Sequence, residues 1–222
     1  TLNVGHHNYS GSYDQNSWTD HKSNNISTYV RAKVLQELAA WEFIKSQEGK
    51  TKLELTVLLL GGVMGPALTA SGVSRDLIKQ LIEGKQPLVP DLHIPMVDIR
   101  DSAIAHLKAM ETKLANGKRL IICNPDIGIE SFKAICHVLR QNGFNKVPKI
   151  KAPTVLIKLM GLFDNEAKGM APLLGKINRL DSSLTKETLN WEPTIPMEKM
   201  VIDLAKSIDF IFFLALSNVW ID

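Results

Sequence analysis

Tyr29 and Lys33 stand four residues apart in the stretch NNISTYVRAKVLQELAAWEF, residues 24–43. The spacing predicts a phenol and an ammonium one turn apart on a helix. Such a pair can pass a proton to or from a carbonyl oxygen. A free tyrosine, with a pKa of about 10, does this poorly at neutral pH. An ammonium within about 4–6 Å stabilises the phenolate and lowers that pKa. The pair needs something to act with, and a hydride carrier is held by a glycine-rich loop that opens straight into a helix. The one candidate loop is LLLGGVMGPAL, with Gly61, Gly62 and Gly65 after an apolar run. Its spacing is G-G-x-x-G rather than G-x-G-x-x-G, Pro66 follows at once, and helical periodicity resumes only near Val73. The cluster therefore reads as a turn after a buried strand.

The elements that must position the pair are legible from periodicity. Ser27 is placed to cap a helix running to about Lys45, with Val30, Val34, Leu38 and Trp41 as its apolar stripe and Leu35 and Ala39 beside it. LELTVLLL, Leu53 to Leu60, reads as a strand covered on both faces. A helix from about Val73 to Glu83, a short strand in IPMVDI and a helix capped by Asp98 follow. GKRLIIC predicts another strand, and IGIESFKAICHVLRQNG a helix ended by Gly143. TVLIKLMGLF and MAPLLGK read as apolar helical pieces, DSSLTKETLNW as a capped short helix and PMEKMVIDLAKSI as a last amphipathic one. Alternating strands and helices predict an α/β protein with a parallel sheet and a more helical second half.

Composition narrows the function classes. The 222 residues are 45% hydrophobic and 22% charged with a net charge of +3, the profile of a soluble globular protein without a nucleic-acid footprint. The densest basic stretch, with Lys146, Lys149, Lys151 and Lys158, lacks flanking aromatics and reads as a solvated rim. Cys123 and Cys136 fall in apolar segments, as buried thiols of a reducing compartment such as the cytoplasm do. His6, His7 and His21 have no spaced Cys or carboxylate partners, which argues against a metal site. FIFFLALSNVWI falls well short of the ~20 residues of a spanning helix and reads as an apolar tail, with contact to a membrane surface the sharper alternative.

YVRAK followed by LQELAAWEF resembles the catalytic helix of the extended short-chain dehydrogenase/reductase family, which includes the NAD-dependent epimerases and dehydratases. More narrowly it resembles the dihydroflavonol-reductase-like branch, whose pattern is Tyr-x-x-x-Lys and then Ala-Ala-Trp. YDQNSWTD, GPAL, MVDIRDSAIAHLKAM and LNWEP match further motifs of that branch in the same order, so the resemblance reaches to about Ser207.

The resemblance implies a partial Rossmann-like parallel sheet and an NADP-dependent, or NAD-dependent, oxidoreductase that interconverts a small-molecule carbonyl and its alcohol. Tyr29 would give the proton, and Lys33 would tune it and bind the nicotinamide ribose. Gly61, Val63 and Ser74 match cofactor contacts, with turn and helix-start roles as the plainer alternative. In the family the phosphate loop, the NAD/NADP selector and the catalytic serine lie upstream of the point matching Thr1, and neither Ser10 nor Ser12 takes the serine's place. The chain is therefore expected to be either a fragment, inactive by itself, or a short non-catalytic relative that acts as a binding protein. Leu60-Gly61 departs from the family's Asn-Pro, which puts the seating of the nicotinamide ring in doubt. Asp98, Arg100, Asp101 and His106 form a family signature for which a structural role is expected, and Trp18 either edges the substrate pocket or anchors the loop before the helix. Residues 1–150 would be the C-terminal part of the cofactor domain with interleaved substrate-lobe segments, 151–207 substrate-lobe helices and 208–222 the tail. A homodimer through the Tyr29 helix is the family's pattern.

Overall fold

In the computed structural model the described residues are 4–5, 11–49, 52–69, 71–124, 132–160 and 171–216, the last eight and positions 158, 160 and 172 by backbone alone. The order is β1 (Gly11–Tyr13), α1 (Thr28–Ser46), β2 (Val57–Leu60), β3 (Gly62–Met64), α2 (Val73–Ile82), β4 (Met96–Asp98), α3 (Ile99–Glu111), β5 (Arg119–Ile122), α4 (Phe132–Gln141), α5 (Thr154–Met160), β6 (Asn178–Leu180), α6 (Ser183–Leu189) and α7 (Met197–Leu216). His6, His7, Ser10 and the last six residues of the apolar tail lie outside the described residues.

Every strand pair among the described residues is parallel: β1 with β6, β2 with β5 and β3 with β4. The expected α/β class is what forms, in short strands. β2 and β5 run in register from Val57 opposite Arg119 to Leu60 opposite Ile122. Their alternating side chains separate two layers. Leu58, Leu60, Leu120 and Ile122 meet Ala105 and Ala109 of α3 and Leu184 and Leu189 of α6. Leu59 and Ile121 face the other way, with Val4, Cys123 and Leu180. A larger core joins α2, α4 and α7 through Ile78, Leu81, Phe132, Ile135, Leu139, Met200 and Leu204.

Four expectations change. The strand expected from Leu53 begins only at Val57, because Leu53 instead exchanges backbone hydrogen bonds with the Gln47 side-chain amide. The glycines after it are not a turn: Gly61 N–H donates to Ile122 O at 3.1 Å and Gly62 N–H to Pro95 O at 2.7 Å, so the chain passes from β5 to β4 without reversing. The turn comes at Gly65, whose φ of 104° suits glycine. MAPLLGK forms only a 3-10 turn, Ala171–Leu173.

The fourth change concerns α1. Ser27 caps it as expected, its Oγ accepting from Val30 N–H at 3.2 Å, but the inward face carries Val30, Val34, Glu37 and Trp41, and Leu38 is exposed. Glu37 takes the place the apolar stripe assigned to Leu38 because its carboxylate has a buried partner, Arg119 of β5. The two thiols are free and buried as expected, and burial pushes Cys123 up to about 12 and Cys136 to about 11. No helix among the described residues is long and apolar enough to cross a membrane.

Candidate active site

Tyr29 sits in the first turn of α1 and is 61% exposed. The helix does what the spacing demands. It brings the Lys33 ammonium to 6.0 Å from the centre of the Tyr29 ring. Lys33 Nζ also donates to Gln36 Oε1 at 3.2 Å, which holds it on that side of the helix.

The Tyr29 ring opens on a cavity of about 800 Å³. The same cavity is walled by Gly61, Val63 and Ser74, so four of the five residues chosen from the sequence meet in one place; Lys33 stands behind Tyr29 rather than on the wall. The remaining walls are largely apolar, with Leu60, Leu68, Ile94, Ile99 and Leu204 among them. β2 and β3 supply one side and the first turn of α2 the other, which is why residues 60–75 dominate the lining.

Gly61 is fixed by its neighbours. A Cβ there would come within 2.7 Å of Pro95 O, 3.1 Å of Pro95 C and 3.3 Å of Cys123 Cβ. Where the family pattern has Pro, this chain has a position into which the β4 approach is packed. Gly65 is similarly tight against Asp98, at 2.9 Å from Oδ2.

The residues of the MVDIRD signature have structural roles, as the capping pattern suggested. Asp98 Oδ1 accepts from Arg100 N–H and Nε–H, each at 2.8 Å, which caps α3. Arg100 also bridges Asp98 and Asp203 of α7, both at 2.8 Å. The Asp98 hydrogen bond raises the guanidinium's pKa further, against burial. Burial alone would raise Asp203, but hydrogen bonds from Lys199 and Arg100 outweigh it and hold the carboxyl below the usual range. Asp101 Oδ atoms accept from the backbone N–H groups of Thr194 and Ile195 and from Thr194 Oγ1, and its backbone O accepts from Trp191 Nε1 at 3.0 Å, which ties the LNWEP segment and the residues after it to α3. His106 Nδ1 lies 2.8 Å from Ser102 O within the same helix. Trp18 proves to be an anchor: its ring stacks 3.7 Å from the Arg119 guanidinium, away from the cavity walls.

Two features were missed by sequence reasoning. The Glu37–Arg119 pair ties α1 to β5 at 2.6 Å, and its only sequence signal was a carboxylate interrupting an apolar helix face. Arg75, next to the chosen Ser74, lines the cavity although it is only 8% exposed.

No protein-family model matches the chain. It is 34% identical over 124 residues to an uncharacterized oxidoreductase of Saccharomyces cerevisiae, YDR541C, a match covering 53% of this chain and 36% of that protein. It is 31% identical over 118 residues to the NADPH-dependent methylglyoxal reductase GRE2 of the same yeast, covering 50% of this chain and 34% of that one. Its relatives are oxidoreductases of the extended short-chain dehydrogenase/reductase type. A cinnamoyl-CoA reductase of Medicago truncatula, CAD2, is 31% identical over 94 residues, 42% of this chain and 28% of that enzyme. The chain thus matches about a third of the length of these dehydrogenase/reductase relatives. The fold agrees: the crystal structure of yeast methylglyoxal/isovaleraldehyde reductase Gre2 complexed with NADPH superposes with a TM-score of 0.67 at 22% identity, over 96% of this chain and 60% of that one.

Proposed function

We propose that the chain is the C-terminal portion of an NADPH-dependent carbonyl reductase. Residues 1–150 belong to its cofactor domain with interleaved substrate-lobe segments, 151–207 form the helical part of its substrate lobe and 208–222 are an apolar extension. The observation that carries the reading is the convergence of Tyr29, Gly61, Val63 and Ser74 on one cavity. The names of two relatives, an NADPH-dependent methylglyoxal reductase and a cinnamoyl-CoA reductase, support the reaction class. The buried thiols favour a reducing compartment, the cytoplasm.

The residues present fit the nicotinamide end of such a cofactor. Gly61 and Val63 would border the ring, Ser74 would face its ribose and carboxamide side, Lys33 would turn from Gln36 towards the ribose, and no described loop has the form that cradles a pyrophosphate. Bound there, the cofactor supplies hydride to the carbonyl carbon. Tyr29 delivers its phenolic proton to the carbonyl oxygen as negative charge builds on it, which completes the alcohol. Solvent then returns a proton to the tyrosinate left behind, beside the Lys33 ammonium.

The test is NADPH-dependent reduction of a panel of aldehydes and ketones by the complete gene product. Tyr29→Phe should lower kcat by about 10²–10⁴, while the 222-residue chain alone should bind NADPH only weakly in a fluorescence titration. Equal rates for the parent and Tyr29→Phe refute the proton-donor role, and micromolar binding by the chain alone refutes the reading as a portion of a longer reductase. A complete product that neither binds NADPH nor reduces any carbonyl is the short, non-catalytic relative instead.

A further inference from the structure

The first turn of α2 borders the cavity with Gly72, Val73, Ser74 and Arg75. Backbone N–H groups of a first helical turn have no backbone partners within the helix, and the helix dipole makes that end attractive to anions; in α2 the Asp76 carboxylate already accepts from Gly72 N–H at 3.4 Å. That alone marks no site. The second observation is Arg75 itself. The residue is 8% exposed, its Nη1 pairs with the exposed Asp76 at 3.2 Å, and its Nε is buried with no hydrogen-bond partner. Buried polar groups in folded proteins are almost always satisfied, so an orphaned guanidinium N–H on a cavity wall points to an acceptor that arrives from outside. A guanidinium's fork of N–H groups matches the two oxygens of a carboxylate. The rest of the cavity is apolar and large enough for a hydrocarbon or aromatic body.

We propose that Arg75 and the first turn of α2 hold the carboxylate of an oxo-acid substrate, whose carbonyl is then presented to Tyr29 at the other side of the same cavity. The inference rests on the reductase reading only for what happens to the carbonyl; the anion site stands on Arg75. It narrows the substrate class from carbonyl compounds in general to those with an apolar body and a terminal carboxylate. Asp76 engages Nη1 alone and leaves the buried Nε without a hydrogen-bond partner.

Binding without cofactor separates this proposal from the reductase reading. Calorimetric titration of the protein with 4-oxo-4-phenylbutanoate and with its methyl ester, which keeps the shape and removes the charge, should give at least about tenfold tighter binding of the acid. Arg75→Leu should bring acid and ester to the same affinity, and Arg75→Lys, which keeps the charge without the Nε donor, should retain part of the difference. Equal affinity of acid and ester in the parent protein, or binding of neither, overturns the proposal with no variant needed. So does an acid preference that survives in a folded Arg75→Leu protein. Adenosine 2′,5′-bisphosphate distinguishes the other source of an anion: if Arg75→Leu weakens its binding and spares that of the acid, the site serves the cofactor's phosphate and the oxo-acid assignment is wrong. Reduction of neutral carbonyls with no acid preference would leave the reductase reading in place and remove this one.

Discussion

At the scale of single residues, the tightest glycine on the cavity wall is Gly61. Its hydrogen lies where a methyl group would be 2.7 Å from Pro95 O, a backbone atom that cannot swing away. Gly61→Ala should therefore push β4 from β3 and widen the junction between β2 and β3. Overpacking of this kind costs typically about 1–3 kcal/mol, readable as a lower urea midpoint with an unchanged slope; an Ala variant as stable as the parent would show that the approach is looser than drawn. The sequence marked Gly61 as a departure but supplied the wrong reason, since a turn and a strand crossing both begin with glycine. Tyr29, Val63 and Ser74, chosen because they match positions of the family pattern, line one cavity. Arg75 was not among those chosen. An arginine in the first turn of an amphipathic helix reads as solvent-facing, and only the packing of α2 over the cavity, a long-range event, buries it.

At the scale of elements, the helix bearing Tyr29 is aimed by one buried pair. Arg119 Nε and Nη2 reach the two Glu37 oxygens at 2.6 and 3.2 Å, Trp41 Nε1 donates to the same carboxylate at 3.2 Å, and Arg119 Nη1 donates to Gln15 O. Trp18 closes the other side of the guanidinium. Removing one partner strands the other charge out of water, so Glu37→Leu or Arg119→Met alone should cost about 3–5 kcal/mol, whereas the double replacement should recover much of that loss. Chemical denaturation of the four proteins of this cycle checks it, and additive losses would mean that the pair is not coupled. Periodicity placed α1 to within a residue at its C-terminal end and found Val30, Val34 and Trp41 of its inward face, but it put Leu38 where Glu37 stands, because a scale of apolarity cannot foresee that a glutamate will find an arginine 82 positions away. β1 and β6 escaped notice for a related reason. Each has three residues, and each is a strand only through its pairing with the other.

At the scale of the whole molecule, the two-layered sheet is left with apolar surface in water. On α1, Ala32, Leu35, Ala39 and Phe43 fall on the side opposite the Val30–Val34–Glu37–Trp41 face, and all four are exposed. On α3, Ile104, Leu107 and Met110 follow one another at three-residue spacing, with Met110 84% exposed, and Leu114 is exposed in the 3-10 turn that follows, Lys113–Ala115. Between these helices β2 pairs, among the described residues, with β5 alone. Exposed apolar stripes and an unpaired strand edge are features that drive association in water. The isolated chain should therefore self-associate with rising concentration in sedimentation velocity and should bind a hydrophobic dye in its folded state. Leu107→Lys with Met110→Lys should cut dye binding several-fold and shift the protein toward monomer while changing its unfolding free energy by no more than about 0.5 kcal/mol each, since surface positions contribute little to stability. A parent chain that sediments as a monomer at every concentration and binds no dye would mean that these stripes are covered within the chain itself.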